Sequence, residues 1–436
     1  MRNITTIVLV LMMAGFGALL AIQRDGDAAA PVVPAATPAV AKTATTAPDA
    51  PKPLARTLRT TALGWELLAP GVISTEAFKA GGVEVAFTAA TSMDELEGAL
   101  AKGGEAGGAD IALVPLASYV ASYERLRALS PEVIFVVGWS HGREALYGTE
   151  LTKVVSPMKL AAAAGTPETF FALELLDLAG VPATKVELVE HAPLEATARP
   201  PRPGSKPAGK LVISSADTPH LMPIVAVAPR GFVEAHAHEL EVWSRVWLGG
   251  VTKLAADVPA AARQVAAIPG APPVLGIIEA LGQLEFANLR ENAVAMGLSG
   301  RGVLTLDQTF RFAWRIWRDT GVLTTPPPEV SPLEPRLIAT LARTDQAALV
   351  EPPPHVRPAG DKRPEVLLVI GADKLDADAV AARIGLVAGI FDHLALRVTA
   401  KTAQASIDTA RERFGLHVAM SVGKRQAPAI EVLSAP

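Results

Sequence analysis

The residues most suggestive of chemistry are Gly138-Trp139-Ser140-His141-Gly142, directly behind the apolar run 133–137. A G-x-S-x-G match after a strand is what a hydrolase nucleophile elbow requires, with an acid and a histidine following in chain order. Asp217 with His220 or His236 could serve. The elbow also needs a helix immediately after its serine, and Gly148 limits any such helix to two turns. Ser140 is therefore not read as a nucleophile, and no enzymatic activity is expected. The remaining catalytic constellations do not assemble. His236 and His238 are two apart on a predicted helix and do not share a face. With no cysteine in the chain, thiol catalysis, disulfides, Cys-ligated zinc and a lipid-modified N-terminal cysteine are excluded. No P-loop occurs, and neither a metal nor a cofactor is expected. Glu168 and Glu174 read as helix-surface or core-rim residues.

What remains is binding chemistry. Polar loops at the carboxyl ends of parallel strands, facing helix N-termini, make anion sites without needing a cationic side chain. The candidate contacts are Trp65 with Gly64 after the first strand, and Ser140, Gly142 and Arg143 after Val137. Thr166 at a helix start and Ser214, Ser215 and Asp217 after Ile213 complete the set. Each has a structural alternative: Trp65 as packing, 140–143 as a solvated loop, Thr166 as a helix cap, Asp217 as a turn cap. Asp110 reads as structural.

The elements that must position these groups alternate. Strand candidates lie at 58–63, 83–87, 110–114, 133–137, 185–188, 210–213 and 224–227. The largely apolar ones suit a parallel sheet covered on both faces. Ser92 with Glu95 forms a capping-box pattern. Thr166-Pro167-Glu168-Thr169 is a helix start with threonine at the cap and proline at the first position. Long helices are expected at 232–248 and 259–267. The βα order points to doubly wound α/β architecture.

Residues 4–22 carry no charge and approach the length of a membrane span, behind Arg2. Residues 1–27 are therefore read as an uncleaved signal anchor, with a cleaved signal as the alternative. The single anchor lies in the inner membrane and the bulk of the chain in the periplasm. An Ala/Pro/Thr tether follows at 28–53. Proline runs at 326–328 and 352–354 bound a connector over 324–363, with a possible helix at 335–349. The large domain is 54–323 and a small one is 364–436. The 436 residues carry a net charge of −4, with 50% hydrophobic and 19% charged residues. Large cores can form, and electrostatic nucleic-acid binding is not expected.

The order of several segments resembles an ABC-transporter substrate-binding protein of the nitrate/sulfonate/taurine type. These are 109–114, 133–137 with 139–148, Lys153-Val154-Val155-Ser156-Pro157-Met158-Lys159-Leu160, Gly165-Thr166-Pro167, 179–189 and 226–236. The resemblance covers about 58–321. It implies a type 2 periplasmic-binding fold of two lobes closing on a small polar or anionic organic solute, and an ABC-transporter permease as partner. Residues 364–436 read as β-α-β-α-β-β and resemble a degenerate OmpA-like domain. The resemblance implies peptidoglycan contact through Arg411 or Arg413. The family's ligand-binding aspartate is missing, because its place reads Thr399-Ala400-Lys401-Thr402-Ala403, so wall binding is expected to be weak. The fold class is thus α/β: a two-lobed periplasmic-binding-protein-like domain, a small C-terminal α/β sandwich and an N-terminal transmembrane helix. The function expected from it is capture of a small solute for ABC-type transport, with an envelope scaffold or sensor as the alternative. An open cleft lined by Ser140, Thr166 and Ser214 favours the first, and a cleft filled by apolar side chains favours the second.

Overall fold

A computed structural model describes residues 54–198, 209–300, 303–350, 364–373, 375–424 and 427–434. The expected anchor and tether at 1–53 lie outside the described residues. Among the described residues, no helix is long and apolar enough to cross a membrane.

Lobe one begins with β1 (Leu58–Ala62), α1 (Ala69–Val72), α2 (Thr75–Ala80), β2 (Val85–Ala89), α3 (Met93–Lys102), β3 (Ile111–Pro115), α4 (Leu116–Leu126) and β4 (Pro131–Ser140). All ten residues of β4 are buried, as befits a strand covered on both faces. Asp110 is structural: Arg56 grips both its oxygens at 2.7 Å, and the Arg59 amide donates to it at 2.9 Å.

The chain then crosses into lobe two: β5 (Glu144–Gly148), β6 (Met158–Ala161), α5 (Pro167–Leu178), β7 (Val186–Val189), β8 (Leu194–Ala198) and β9 (Leu211–Ser214). Its sheet order is β7-β6-β8-β5-β9. Among the described residues α5 is the one α-helix of this lobe. Leu146, Leu160, Leu194, Ala196 and Ile213 are buried, while Tyr147, Lys159, Glu187, Glu195 and Thr197 alternate with apolar neighbours and retain exposure. A sheet with one face packed and one solvated gives this period-two pattern.

The return strand β10 (Pro223–Pro229) inserts antiparallel between β3 and β4. With the short β11 (Leu284–Phe286), lobe one's order becomes β11-β4-β10-β3-β1-β2. Helices α6 (Arg230–Ala235), α7 (Ala237–Ala256), α8 (Val258–Ala266), α9 (Val274–Leu281), α10 (Leu289–Ala295), α11 (Leu306–Asp319) and α12 (Arg336–Thr344) complete the body. The single helix expected over 232–248 is corrected to two, because His236 leaves helical geometry at φ −128° and ψ 38°. Residues around Leu333 join lobe one: the Val133 amide donates to the Pro332 carbonyl at 2.8 Å, and the Glu334 amide to the Val133 carbonyl at 2.9 Å.

The C-terminal part runs β12 (Val366–Gly371), α13 (Ala377–Ile390), β13 (Ala395–Thr399), α14 (Ala403–Phe414), β14 (Met420–Val422) and β15 (Ala429–Leu433). Its sheet order is β12-β15-β13-β14. Leu368, Ile370, Leu396, Val398, Ile430 and Val432 make one buried face. Helices α13 and α14 pack together, with Gly385 leaving room for the Phe414 ring, whose nearest atom lies 2.5 Å from where a Cβ would stand. This apolar layer is continuous with the core of the two lobes. Arg411 and Arg413 are exposed on the last turn of α14.

Candidate functional site at the seam between the lobes

The chain passes between the lobes at β4–β5 and at β9–β10, and most of the singled-out residues gather there. Ser140 ends β4, Glu144 opens β5, and the three residues between them form a tight reversal with Gly142 at φ +92°, a region that favours glycine. On the second crossing Ser214 ends β9 and Ser215 opens a single 3₁₀ turn.

Ser215, with no exposed surface, is the hub. Its Oγ accepts from the Gly142 amide at 2.8 Å and from the Glu144 amide at 3.3 Å, and lies 3.1 Å from Ser140 Oγ. Ser140 Oγ donates to the Glu144 carboxylate. Burial pushes Glu144 above the usual carboxylate range. The Ser140 hydroxyl and the Arg143 guanidinium oppose that rise, and the nearby Glu168 adds to it. Arg143 reaches across to Glu66 of lobe one at 2.5 Å, and both partners are largely buried. Gly64, at φ +120°, makes room for the Glu66 carboxylate, since a Cβ there would lie 2.5 Å from Glu66 Oε1.

Asp217 turns back to accept from the Ser214 amide at 2.9 Å and from its hydroxyl at 3.2 Å, closing a capping box. Thr166 caps α5. Its Oγ1 accepts from the Thr169 amide at 3.4 Å and donates to the Ala163 carbonyl at 3.1 Å. The preceding Gly165 lies against Ala121 of α4 and Val322, each 4.0 Å from where its Cβ would stand. Trp65 is half-buried beside Gly270. The structure thus joins Ser140, Gly142, Arg143 and Ser215 in one network and sets Ser214 with Asp217 alongside it. Trp65 and Thr166 lie outside those bonds.

The residues of this network bond to one another, while beside them Glu168 Oε2 and Thr218 Oγ1 are buried with no hydrogen-bond partner among the described residues. Apolar packing closes the rest. Trp317 of α11, fully buried, donates to the Ala117 carbonyl at 2.8 Å and meets Phe170 of α5 with ring centroids 6.3 Å apart. Helix α11 therefore bridges α4 of lobe one and α5 of lobe two. Two depressions recorded on the described surface lie elsewhere: a narrow one lined by Leu96, Leu100, Val114 and Tyr119, and one of about 270 Å³ on α11.

The alternative of a nucleophile elbow does not survive this geometry. A strand, not a helix, follows Ser140, and its partner is a carboxylate. His220 stacks edge-on against Trp139 at 5.1 Å and faces Asp392 at 3.4 Å. His236 packs on Phe232 at 4.7 Å beside Glu239. Among the described residues no group of three His, Cys, Asp or Glu side chains could hold a metal ion.

Sequence reasoning missed Glu66 and Glu144. Glu66 directly follows the Gly64-Trp65 pair, and Glu144 stands four residues after Ser140. An acid beside each candidate contact was the available signal. It also placed Glu174 on a surface or core rim, whereas that residue is only 1% exposed and its carboxyl is pushed up to about 7, mainly by burial and against the pull of Arg315.

No protein-family model matches the sequence, and no curated protein matches it. Solved structures do. The chain is similar to the periplasmic aliphatic sulphonate binding protein SsuA from Escherichia coli, at 12% identity and a TM-score of 0.44, covering 70% of this chain and 98% of that one. It is similar to the nitrate-binding protein NrtA from Synechocystis, at 13% identity and a TM-score of 0.39, covering 64% and 92%. A third is the ligand-binding component of an ABC-type import system from Staphylococcus aureus, at 10% identity and a TM-score of 0.45, covering 65% and 98%. All three are named as binding proteins or binding components.

Proposed function

We propose that this chain is a two-lobed binding-fold protein of the cell envelope whose seam is occupied by its own side chains, and that it works as a scaffold or sensor. Residues 1–27 anchor it in the inner membrane, 28–53 form the tether, and the lobes face the periplasm. The observation that carries this reading is the closed hydrogen-bond network of Ser140, Gly142, Glu144 and Ser215, with Arg143 paired to Glu66. A binding cleft must leave polar groups waiting for a solute, because a ligand gains affinity by satisfying them. Here Ser140, Gly142, Arg143, Glu144 and Ser215 each have a partner within the chain. The C-terminal part supports the same reading, since its core is continuous with the lobes. Arg411 and Arg413 provide only the cationic half of a peptidoglycan contact, so wall binding is weak.

The capture of a small polar or anionic solute for an ABC-type permease is the second reading. It is favoured by the two sheets joined through two chain crossings, the geometry of a hinged pair. Thermal-shift titration of the full chain in detergent, with panels of singly charged carboxylates, sulfonates and amines, separates the two. A ligand that binds only the native state raises apparent stability in proportion to its saturation. The expected outcome is no saturable shift for the unaltered chain. In parallel, Ser215→Ala lowers stability by about 1–3 kcal/mol, because it leaves buried amides unpaired. A saturable ligand whose effect disappears with Arg143→Met establishes solute capture instead.

A further inference from the structure

We propose that the outward face of α11 carries a separate binding site for a small oxyanion bearing two or more negative charges. The helix has two unlike sides. Leu306, Phe310, Ala313, Ile316 and Trp317 are buried, while Arg311, Arg315 and Arg318 are exposed. At about 100° per residue, the spacing i, i+4, i+7 gathers the three arginines within an arc of roughly 60°. They line a depression of about 270 Å³ together with Trp314, Asp319 and Pro327. The lining side chains themselves are three guanidiniums and one carboxylate, and the carboxylates that pair with Arg311 and Arg315 stand outside the lining, which leaves Arg318 as the uncompensated cation.

Two of the arginines are already held in place. Arg311 Nε donates to Asp307 at 3.1 and 3.2 Å, and its Nη2 to the Glu329 carbonyl at 3.2 Å. Arg315 Nη2 lies 3.0 Å from Asp177 and 3.3 Å from Glu174. The Arg318 side chain makes no hydrogen bond or ion pair among the described residues. Its fork of donors is the free one, flanked by two whose positions are set. A guanidinium is planar and matches phosphate or carboxylate oxygens in pairs, and holding its neighbours in advance lowers the entropy lost on binding. Trp314 spends its indole N–H on the Thr325 carbonyl at 3.3 Å, and Pro327 has no N–H, so this wall adds apolar contact and no competing donor. The site shares no residue with the Ser140–Ser215 network and does not depend on how the seam is read.

Isothermal titration of the full chain in detergent, at constant ionic strength, tests it with inorganic pyrophosphate in one arm and succinate in the other. Saturable one-to-one binding of at least one anion is expected, and the arm that binds identifies phosphate or carboxylate chemistry. Arg318→Gln weakens that binding about tenfold or more, the effect of one charge-assisted hydrogen bond, and Arg318→Glu abolishes it. Because the Arg318 side chain has no partner among the described residues, Arg318→Gln keeps the melting temperature within about a degree or two in the absence of anion. The proposal is overturned if neither anion binds saturably, or if binding persists unchanged in both Arg318 variants.

Discussion

The two lobes share a plan and differ in how they are covered. Lobe one carries helices around a six-stranded sheet whose strand β4 is buried at every position. Among the described residues, lobe two stands on a five-stranded sheet with helix α5 on one face and Tyr147, Lys159, Glu187, Glu195 and Thr197 on the other. A lobe so thin gains little core of its own. Its largest buried side chains, Phe170 and Phe171, sit on α5, and Phe170 meets Trp317 of α11. Lobe two is thus stabilised in large part by what it packs against. Between the lobes lie the Phe170–Trp317 contact and the Arg143–Glu66 pair, so separating them uncovers aromatic surface and breaks an ion pair.

Three substitutions sharpen or break this contrast. Trp317→Ala has the largest expected effect. It removes a fully buried indole that joins α4 to α5 and strands the Ala117 carbonyl, at a cost of about 3–5 kcal/mol. Hydrogen exchange should report early opening of β5–β9 ahead of β1–β4. If exchange accelerates equally in both lobes, lobe two does not lean on α11 as described.

Glu174→Gln ranks next and reads out against pH. The folded-state carboxyl titrates near 7, against an ordinary 4.5. The folded protein therefore holds this proton more tightly than the unfolded chain does. The associated stability is fully present below about 4.5 and is lost as pH rises to about 7, with a total of order 3 kcal/mol. Asp177 shares Arg315, and Arg383 of α13 also acts on this carboxyl, so three helices meet at one titrating group. Denaturant midpoints at pH 5 and pH 8 should differ less for Glu174→Gln than for the unaltered chain. An identical pH difference in both proteins removes Glu174 from the account.

Lys159→Ala has the smallest effect. The residue pairs with Glu187 at 3.3 Å across β6 and β7, with both side chains more than half exposed. Such pairs contribute little, so a change within about 0.5 kcal/mol is expected in the thermal midpoint. A larger loss would mean that the open face of lobe two is covered.

Much of the fold could be read from local pattern. The apolar runs of β3 and β4, the cap at Thr166 with Pro167 behind it, and the β-α-β-α-β-β order of the C-terminal part each follow from a few adjacent residues. Lobe two was less legible. β5 and β8 are five residues each and interrupt their few apolar residues with Glu and Ala, so neither a helical nor a strand period stands out in them. The break at His236 also escaped, because flanking residues of good helical propensity continue the pattern through it.

The candidate site divides in the same way. Sequence alone determined that polar residues would stand at the strand ends where the chain changes lobes, because apolar runs stop at Val137 and Ile213 and serines follow. Whether those serines face a solute or each other was decided only by the tertiary structure. Ser140 and Ser215 are 75 residues apart, Arg143 and Glu66 are 77 apart, and Trp317 is 200 from the carbonyl it caps. Hydrogen bonds reach only about 3 Å, so a partner so distant in sequence leaves no periodic trace in it. Glu174 makes the same point. On its own helix it is an acid between Leu173 and Leu175, and the groups that act on its carboxyl, Arg315 of α11 and Arg383 of α13, arrive from elsewhere in the chain.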